Sequence, residues 1–231
     1  MVALVLLPGM DGTGTLFSDF VRALGADAEV FVVRYPAEQP AGYQALEQFV
    51  RPYLPTDRPF VLVAESFSGP IAISIAATAP EGLIALVLCC SFARNPAPFF
   101  SSIRQLVGLL PIKHVPVSWL SYFLAGRFST PSLRKSLHQA LESVSSKVLR
   151  VRARAVLEVD VSSKLKQINL PILYLRASED RVVKRSASAL IVRLAMRARI
   201  VELEAPHFLL QTAPVEAAVA IRRFISEERD C

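Results

Sequence analysis

Few residues in this chain can carry out polar chemistry, and they fall in a definite order. Ser66 lies in Ala64-Glu65-Ser66-Phe67-Ser68-Gly69, where an apolar run gives way to a helical pattern. A nucleophile on so sharp a strand-to-helix turn needs small residues two before and two after it. Ala64 and Ser68 meet that need. The alternative use of Ser66 is to cap the helix after it. Earlier, Leu7-Pro8-Gly9-Met10-Asp11-Gly12-Thr13-Gly14 comes directly after the first apolar run. Its glycines let backbone N–H groups converge on an anion. Acyl transfer needs two such donors for its tetrahedral oxyanion, and the pair expected here is the Met10 and Phe67 amides. The loop is not a phosphate loop of the G-x-x-x-x-G-K-[ST] kind, because no Lys follows, and G-x-G-x-x-G lacks its third Gly. A plain glycine turn is the remaining alternative.

Two later loops supply an acid and a base. Asp180 follows an apolar run in Ala177-Ser178-Glu179-Asp180, and Glu179 competes with it as the residue that orients a histidine. Either can also cap the next helix. His207, in Ala205-Pro206-His207-Phe208, follows the next apolar run, whereas the other two histidines, His114 and His138, fall within 93–169, where the strand–helix alternation stops. Loops after parallel strands share the ligand-binding edge of a sheet. Ser, then Asp, then His, each after such a strand, is the chain order of one class of catalytic triad. His207 would take the Ser66 proton, and Asp180 would fix the imidazole tautomer.

Hydrophobic patterning supplies the elements that must hold these loops. Residues 2–7, 30–33, 60–64, 83–89, 171–175 and 198–203 read as strands. Residues 15–24, 43–54, 70–79, 183–196 and 213–228 read as helices. The alternation predicts an α/β fold: a mainly parallel sheet of about six strands flanked by helices. It stops at 93–169, where amphipathic helical pieces are divided by Pro96, Pro98, Pro111, Pro116 and Pro131, with no strand. The expected organisation is a core of 1–92 and 170–231 with a helical cap of 93–169.

The 231 residues are 52% hydrophobic and 20% charged, which excludes a disordered chain. Mean hydropathy is high, at +0.40, yet the longest apolar runs fall short of the ~20 residues that a membrane span needs. The excess fits strands buried on both faces. No signal peptide is read, and three cysteines (Cys89, Cys90 and Cys231) form no disulfide framework and no zinc-like spacing. These readings predict a cytoplasmic protein with no metal and no cofactor. Residues 94–170 hold twelve Lys and Arg against three Asp and Glu, while the remainder is mildly acidic. Such a face can steer an acidic partner, an acyl carrier protein or an anionic membrane surface, or it can be simply solvated. Nucleic acid is disfavoured, because the basic residues interleave with core-type ones. Arg150 and Arg154 share a helix face that Arg152 does not.

The motifs 6–14 and 65–69 resemble those of α/β-hydrolases, in particular the plant phytyl ester synthase group and its bacterial relatives. Residues 154–160, 170–173 and 179–180 resemble the cap-exit region of the carrier-protein methyl ester esterase of biotin synthesis. The resemblance covers nearly the whole chain. It implies a Ser66–Asp180–His207 triad under a cap, with residues 2–7 as the family's third strand and the usual first two missing. Two departures stand out. Pro8-Gly9 replaces the common His-Gly, and Ala64 and Ser68 replace the flanking glycines. Trp119, Phe123 and Phe208 are expected in an apolar acyl pocket. Of the other apolar residues of the insertion, among them Phe99, Phe100, Leu106, Leu109, Leu110, Leu120, Tyr122 and Leu124, many would pack the cap onto the core and some would line that pocket. The expected activity is hydrolysis of small to medium-chain esters through an acyl-enzyme. Acyl transfer to an alcohol, and a slow ligand receptor on the same fold, are the alternatives. Haloalkane dehalogenase and epoxide hydrolase chemistry is disfavoured, because those families place Asp where this chain has Ser66.

Overall fold

A computed structural model describes residues 2–96 and 115–229. Phe99, Phe100, Leu106, Leu109, Leu110, His114, Pro98, Pro111 and Cys231 lie outside the described residues. Six strands form one parallel sheet: β1 (Ala3–Leu7), β2 (Val30–Val32), β3 (Phe60–Glu65), β4 (Leu83–Cys89), β5 (Ile172–Ala177) and β6 (Ala198–Leu203). Their order is β2-β1-β3-β4-β5-β6. This is the architecture and strand number that the sequence predicts.

Every residue of β1 and β3 is buried. Ala3, Val5 and Leu7 pack on one face with Phe60, Leu62 and Ala64. Leu4 and Leu6 pack on the other with Val61 and Val63. Strands covered on both sides have no polar face, so they read as unbroken apolar runs. The first face is covered by α2 (Tyr43–Val50), α3 (Gly69–Ala76) and α8 (Arg185–Leu194). The second is covered by α1 (Ser18–Leu24), α9 (Leu209–Thr212) and α10 (Pro214–Arg229). All eight residues of α3 are buried, so this helix has no polar stripe.

Several helices are shorter than their sequence patterns. The pattern 15–24 begins as a 3-10 turn at Thr15–Phe17 before α1. The pattern 43–54 ends in another at Arg51–Tyr53, where Pro52 has no N–H to donate. α3 stops at Ala76, and Ala79 adopts φ 45; the ring of Pro80 disfavours the helical region for the residue before it. α8 starts only at Arg185, because the Val182 and Val183 amides both donate to Asp180 Oδ1 at 2.8 Å.

The insertion holds α4 (Val117–Leu124), α5 (Pro131–Glu142), α6 (Ser146–Glu158) and the short α7 (Ser162–Leu165). Thr130 caps α5 through the Leu133 amide, and Ser145 caps α6 through the Val148 amide. The chain leaves and re-enters the core side by side: Asn95 N–H donates to Val159 O, and Val161 N–H to Ala93 O. A lone antiparallel bridge joins Arg94 and Asp160 there. Val156 of α6 packs on the core cluster of the sheet, α7 packs against α3 and α8, and α4 and α5 pack on each other. Leu16, Ala125, Leu137, Ala140 and Phe208 seat them on the core. Among the described residues, no helix is long and apolar enough to cross a membrane.

Gly69, first in α3, has no room for a side chain: a Cβ would lie 1.8 Å from Ser91 Oγ and 2.8 Å from Ser91 Cβ. Gly69→Ala should therefore destabilise the fold by roughly 1–3 kcal/mol, the usual cost of overpacking. Urea unfolding of the two proteins measures this. An unchanged midpoint would mean that Ser91 moves aside freely.

Candidate active site

β3 ends at Glu65, and the chain turns at once into a 3-10 turn, Ser66–Ser68, that leads into α3. Ser66 sits at φ 47, the left-handed region that costs an L-residue roughly 1–2 kcal/mol. The strain is held from both sides. Ser91 Oγ donates to Ser66 O at 2.5 Å, and the Gly69 amide donates to the same oxygen.

The turn points Ser66 Oγ at His207 Nε2, 2.8 Å away. His207 Nδ1 lies 2.9 Å from Asp180 Oδ2 and 3.1 Å from Oδ1. Both side chains of that pair are buried. The loops bearing them are stitched together: Ser178 N–H donates to Leu203 O, and Glu179 N–H to Ala205 O, each at 2.9 Å. Glu179 faces outward, where Arg127 bridges it to Glu204. Asp180, not Glu179, is thus the acid on the histidine, and it also holds the amides of the following turn. Geometry of this kind lets the imidazole take a proton from the hydroxyl while the carboxylate fixes its tautomer.

The loop 8–14 lies beside the turn. Gly12 N–H closes a turn onto Gly9 O at 3.0 Å, and Gly12 and Gly14 adopt φ 74 and 69. Met10 and Phe67 border the same cavity as Ser66. The Phe67 amide falls in the first helical turn, where no intrahelical acceptor exists. The structure also gives Ser68, one of the departures from the family's motif, a role. Ser68 Oγ donates to Pro8 O and is hydrogen-bonded to Tyr35 OH. A glycine at 68 could make neither contact.

Sequence reasoning missed two buried charged groups in this region. Glu65 is buried. It accepts hydrogen bonds from the Gly9 amide and from Gln211 Nε2, the latter at 2.9 Å. Desolvation pushes its carboxyl up to about 7, against the pull of Gln211. Its one visible signal was an acidic residue closing an otherwise apolar strand. Arg152 of α6 is completely buried and donates to Met10 O, Asp11 O and Pro36 O. Only its helix face set it apart from Arg150 and Arg154.

A cavity of about 610 Å³ opens above Ser66 and His207. Its outer wall is made by Leu120 and Leu124 of α4, Leu137 and Leu141 of α5, and Leu149 and Val156 of α6. Phe208 borders it. Trp119 and Phe123 do not: they are 66% and 49% exposed, about 100° around α4 from Leu120 and Leu124 respectively. Each pair, 119/123 and 120/124, has helical spacing, and the sequence offers no way to tell which one faces inward. Cys90, Asp180 and His207 bring potential metal-ligating atoms within 4.8 Å of one another. Burial raises the Cys90 thiol above its ordinary value, which keeps it protonated and a poor ligand. The basic segment is partly neutralised within the fold: Arg154 pairs with Glu158, Lys164 lies near Glu47, and Arg127 bridges two acids.

A model of the alpha/beta hydrolase family matches residues 4–221. No curated protein sequence matches the chain, so the likeness to the phytyl ester synthase group and to the carrier-protein methyl ester esterase rests on motifs alone. The chain is similar in structure to a thermophilic esterase from Thermogutta terrifontis (TM-score 0.83, 18% identity, 99% of this chain and 90% of that one). It is also similar to the enol-lactonase from Burkholderia xenovorans LB400 (0.80, 16%, 100% and 92%). A third similar structure is the bromoperoxidase from Bacillus anthracis (0.83, 17%, 97% and 92%). Identities this low establish a shared fold, and one fold hosts several activities.

The raised pKa of Glu65 fixes a sign. The folded state holds the proton more tightly than the unfolded chain, whose value is about 4.5. The stability that the protonated carboxyl contributes is complete below pH 4.5 and is lost as pH rises through about 7. Glu65→Gln removes this titration. Relative to wild type, its unfolding free energy should improve by up to about 3 kcal/mol as pH rises across that window. A difference that stays flat between pH 5 and pH 8 would show a Glu65 ionised throughout.

Proposed function

Because the chain belongs to the alpha/beta hydrolase family, we propose that it is a serine carboxylic-ester hydrolase. It works through an acyl-enzyme on small to medium-chain acyl esters. The observation that carries this reading is the hydrogen-bonded run Ser66–His207–Asp180 at the floor of a largely apolar cavity. His207 Nε2 takes the Ser66 proton as Oγ attacks the ester carbonyl carbon. The carbonyl oxygen becomes an oxyanion, which the Met10 and Phe67 amides receive. Collapse of this intermediate expels the alcohol, which leaves with the proton from His207, and Ser66 is acylated. Water then enters by the same route in reverse roles and releases the acid. The acyl chain lies along Leu120, Leu124, Leu137 and Phe208. The cavity volume falls within the range usual for small-molecule sites.

Fluorophosphonate labelling with peptide mapping, run beside turnover of p-nitrophenyl esters of increasing acyl length, tests the proposal. Label on Ser66 and turnover with a chain-length optimum are expected. Ser66→Ala should abolish both while leaving the fold intact. Asp180→Asn should lower kcat by on the order of 10⁴-fold, the loss known for the reference triad. Label without turnover would favour an acyltransferase lacking its acceptor. No label would overturn the reading.

The wall composition gives a separate expectation. Leu120→Trp fills part of the cavity and should move the optimum to shorter acyl chains with little change for acetate esters. An unmoved optimum would place the chain elsewhere.

A further inference from the structure

We propose that Arg152 is the positioning residue of the oxyanion loop, holding the Met10 amide in its receiving orientation and tying helix α6 of the insertion to the reacting end of the sheet. This rests on the esterase reading of Ser66.

The Met10 N–H belongs to the peptide that joins Gly9 to Met10. A trans peptide is planar, so this N–H points opposite the carbonyl of the same peptide, which is Gly9 O. Gly9 O is held by the Gly12 amide at 3.0 Å. The direction of the Met10 N–H is therefore set by the four-residue turn 9–12. The two carbonyls inside that turn are Met10 O and Asp11 O. Arg152 Nη1 donates to both, at 3.0 and 2.7 Å. Arg152 Nη2 reaches across to Pro36 O at 3.0 Å, on the segment after β2.

The surroundings are built around this group. Its guanidinium lies 5.5 Å from the centre of the Tyr35 ring, and the Tyr35 hydroxyl is bonded to Ser68 at 2.6 Å. At Gly12 a Cβ would come within 2.5 Å of Arg152 Nη1, so the glycine makes room for the cation as well as for a positive φ. Arg152 forms no ion pair with any described carboxylate. A buried arginine that serves only backbone carbonyls acts on backbone geometry. Its fixed fork of donors can hold carbonyls on two segments at once, which the point charge of a lysine cannot do. On the other side of the loop, the Glu65 carboxyl takes the Gly9 amide. The peptides on either side of the one bearing the Met10 N–H are thus held, one by a side chain of the sheet and one by a side chain of the insertion.

The test uses the whole chain carrying Arg152→Gln or Arg152→Lys. Endpoint titration with fluorophosphonate counts the competent Ser66 sites, so that any loss of folded protein is removed from the rates. Per titrated site, kcat should fall by about 10²-fold, in the range seen when an oxyanion donor is removed, with KM within about twofold. A trifluoromethyl ketone, which needs the oxyanion site, should lose affinity in parallel with kcat. Its alcohol analogue, which does not, should bind as before. A smaller loss is expected for Lys than for Gln. A kcat per site equal to wild type, or an unchanged trifluoromethyl ketone affinity beside a lowered melting temperature, would make Arg152 a structural residue only and overturn the proposal. A wild-type chain that takes no label at Ser66 would overturn the esterase reading beneath it, whatever the variants do.

Discussion

The backbone at Ser66 is the constraint around which the site is arranged. A residue at φ 47 is uphill by itself, and it persists because two donors hold its carbonyl. On its C-terminal side the turn is anchored by α3, a helix buried along its whole length. That helix can sit so close only because Gly69 lets Ser91 approach. The turn then lifts a hydroxyl clear of the sheet's C-terminal edge, where the loops after β5 and β6 bring Asp180 and His207. Parallel strands make this convergence automatic, since every β-to-α loop emerges on the same edge.

Around the turn, polar groups are buried and mostly paired. Glu65, Ser68 and Arg152 make contacts that end on loop 8–14, and Tyr35 joins them through Ser68. Burying such groups costs free energy unless hydrogen bonds replace those lost to water. A network of this kind selects one loop conformation more than it adds net stability. Glu65 shows the tension: two donors favour its ionised form, yet desolvation prevails. The site therefore joins a rigid scaffold to groups whose states depend on their surroundings.

The insertion does two things at once. Leucines and valines of α4, α5 and α6, with His138 and Glu142 of α5 beside them, make a mostly apolar wall over a polar floor. The same segment sends Arg127 to bridge the acid-bearing and histidine-bearing loops at their rim, and Arg152 to the loop after β1. Wall and floor are thus mechanically continuous. Part of the segment's positive charge is occupied in these contacts, so its formal excess overstates the basic surface.

The order of amino acids is enough to place the sheet, to count its strands and to set Ser66, Asp180 and His207 in sequence along the chain. Each of these rests on local information: unbroken apolar runs, glycine and proline breaks, and a reactive residue just past a strand. The departures at Pro8 and Ser68 were visible too, but not their meaning. That Asp180 rather than Glu179 meets the histidine emerges only in three dimensions, because neighbours in a loop differ solely in which way they face. So does the choice of Leu120 and Leu124 as the cavity wall, with Trp119 and Phe123 facing out, since both pairs share one helical period. The roles of Glu65 and Arg152 were likewise closed to sequence reading. A buried charge is recognised by the partners that surround it, and those partners lie 56 residues away for Gly9 and Glu65 and more than a hundred away for Met10, Asp11 and Pro36 with Arg152. Contacts across such separations are created by folding, and no local pattern encodes them.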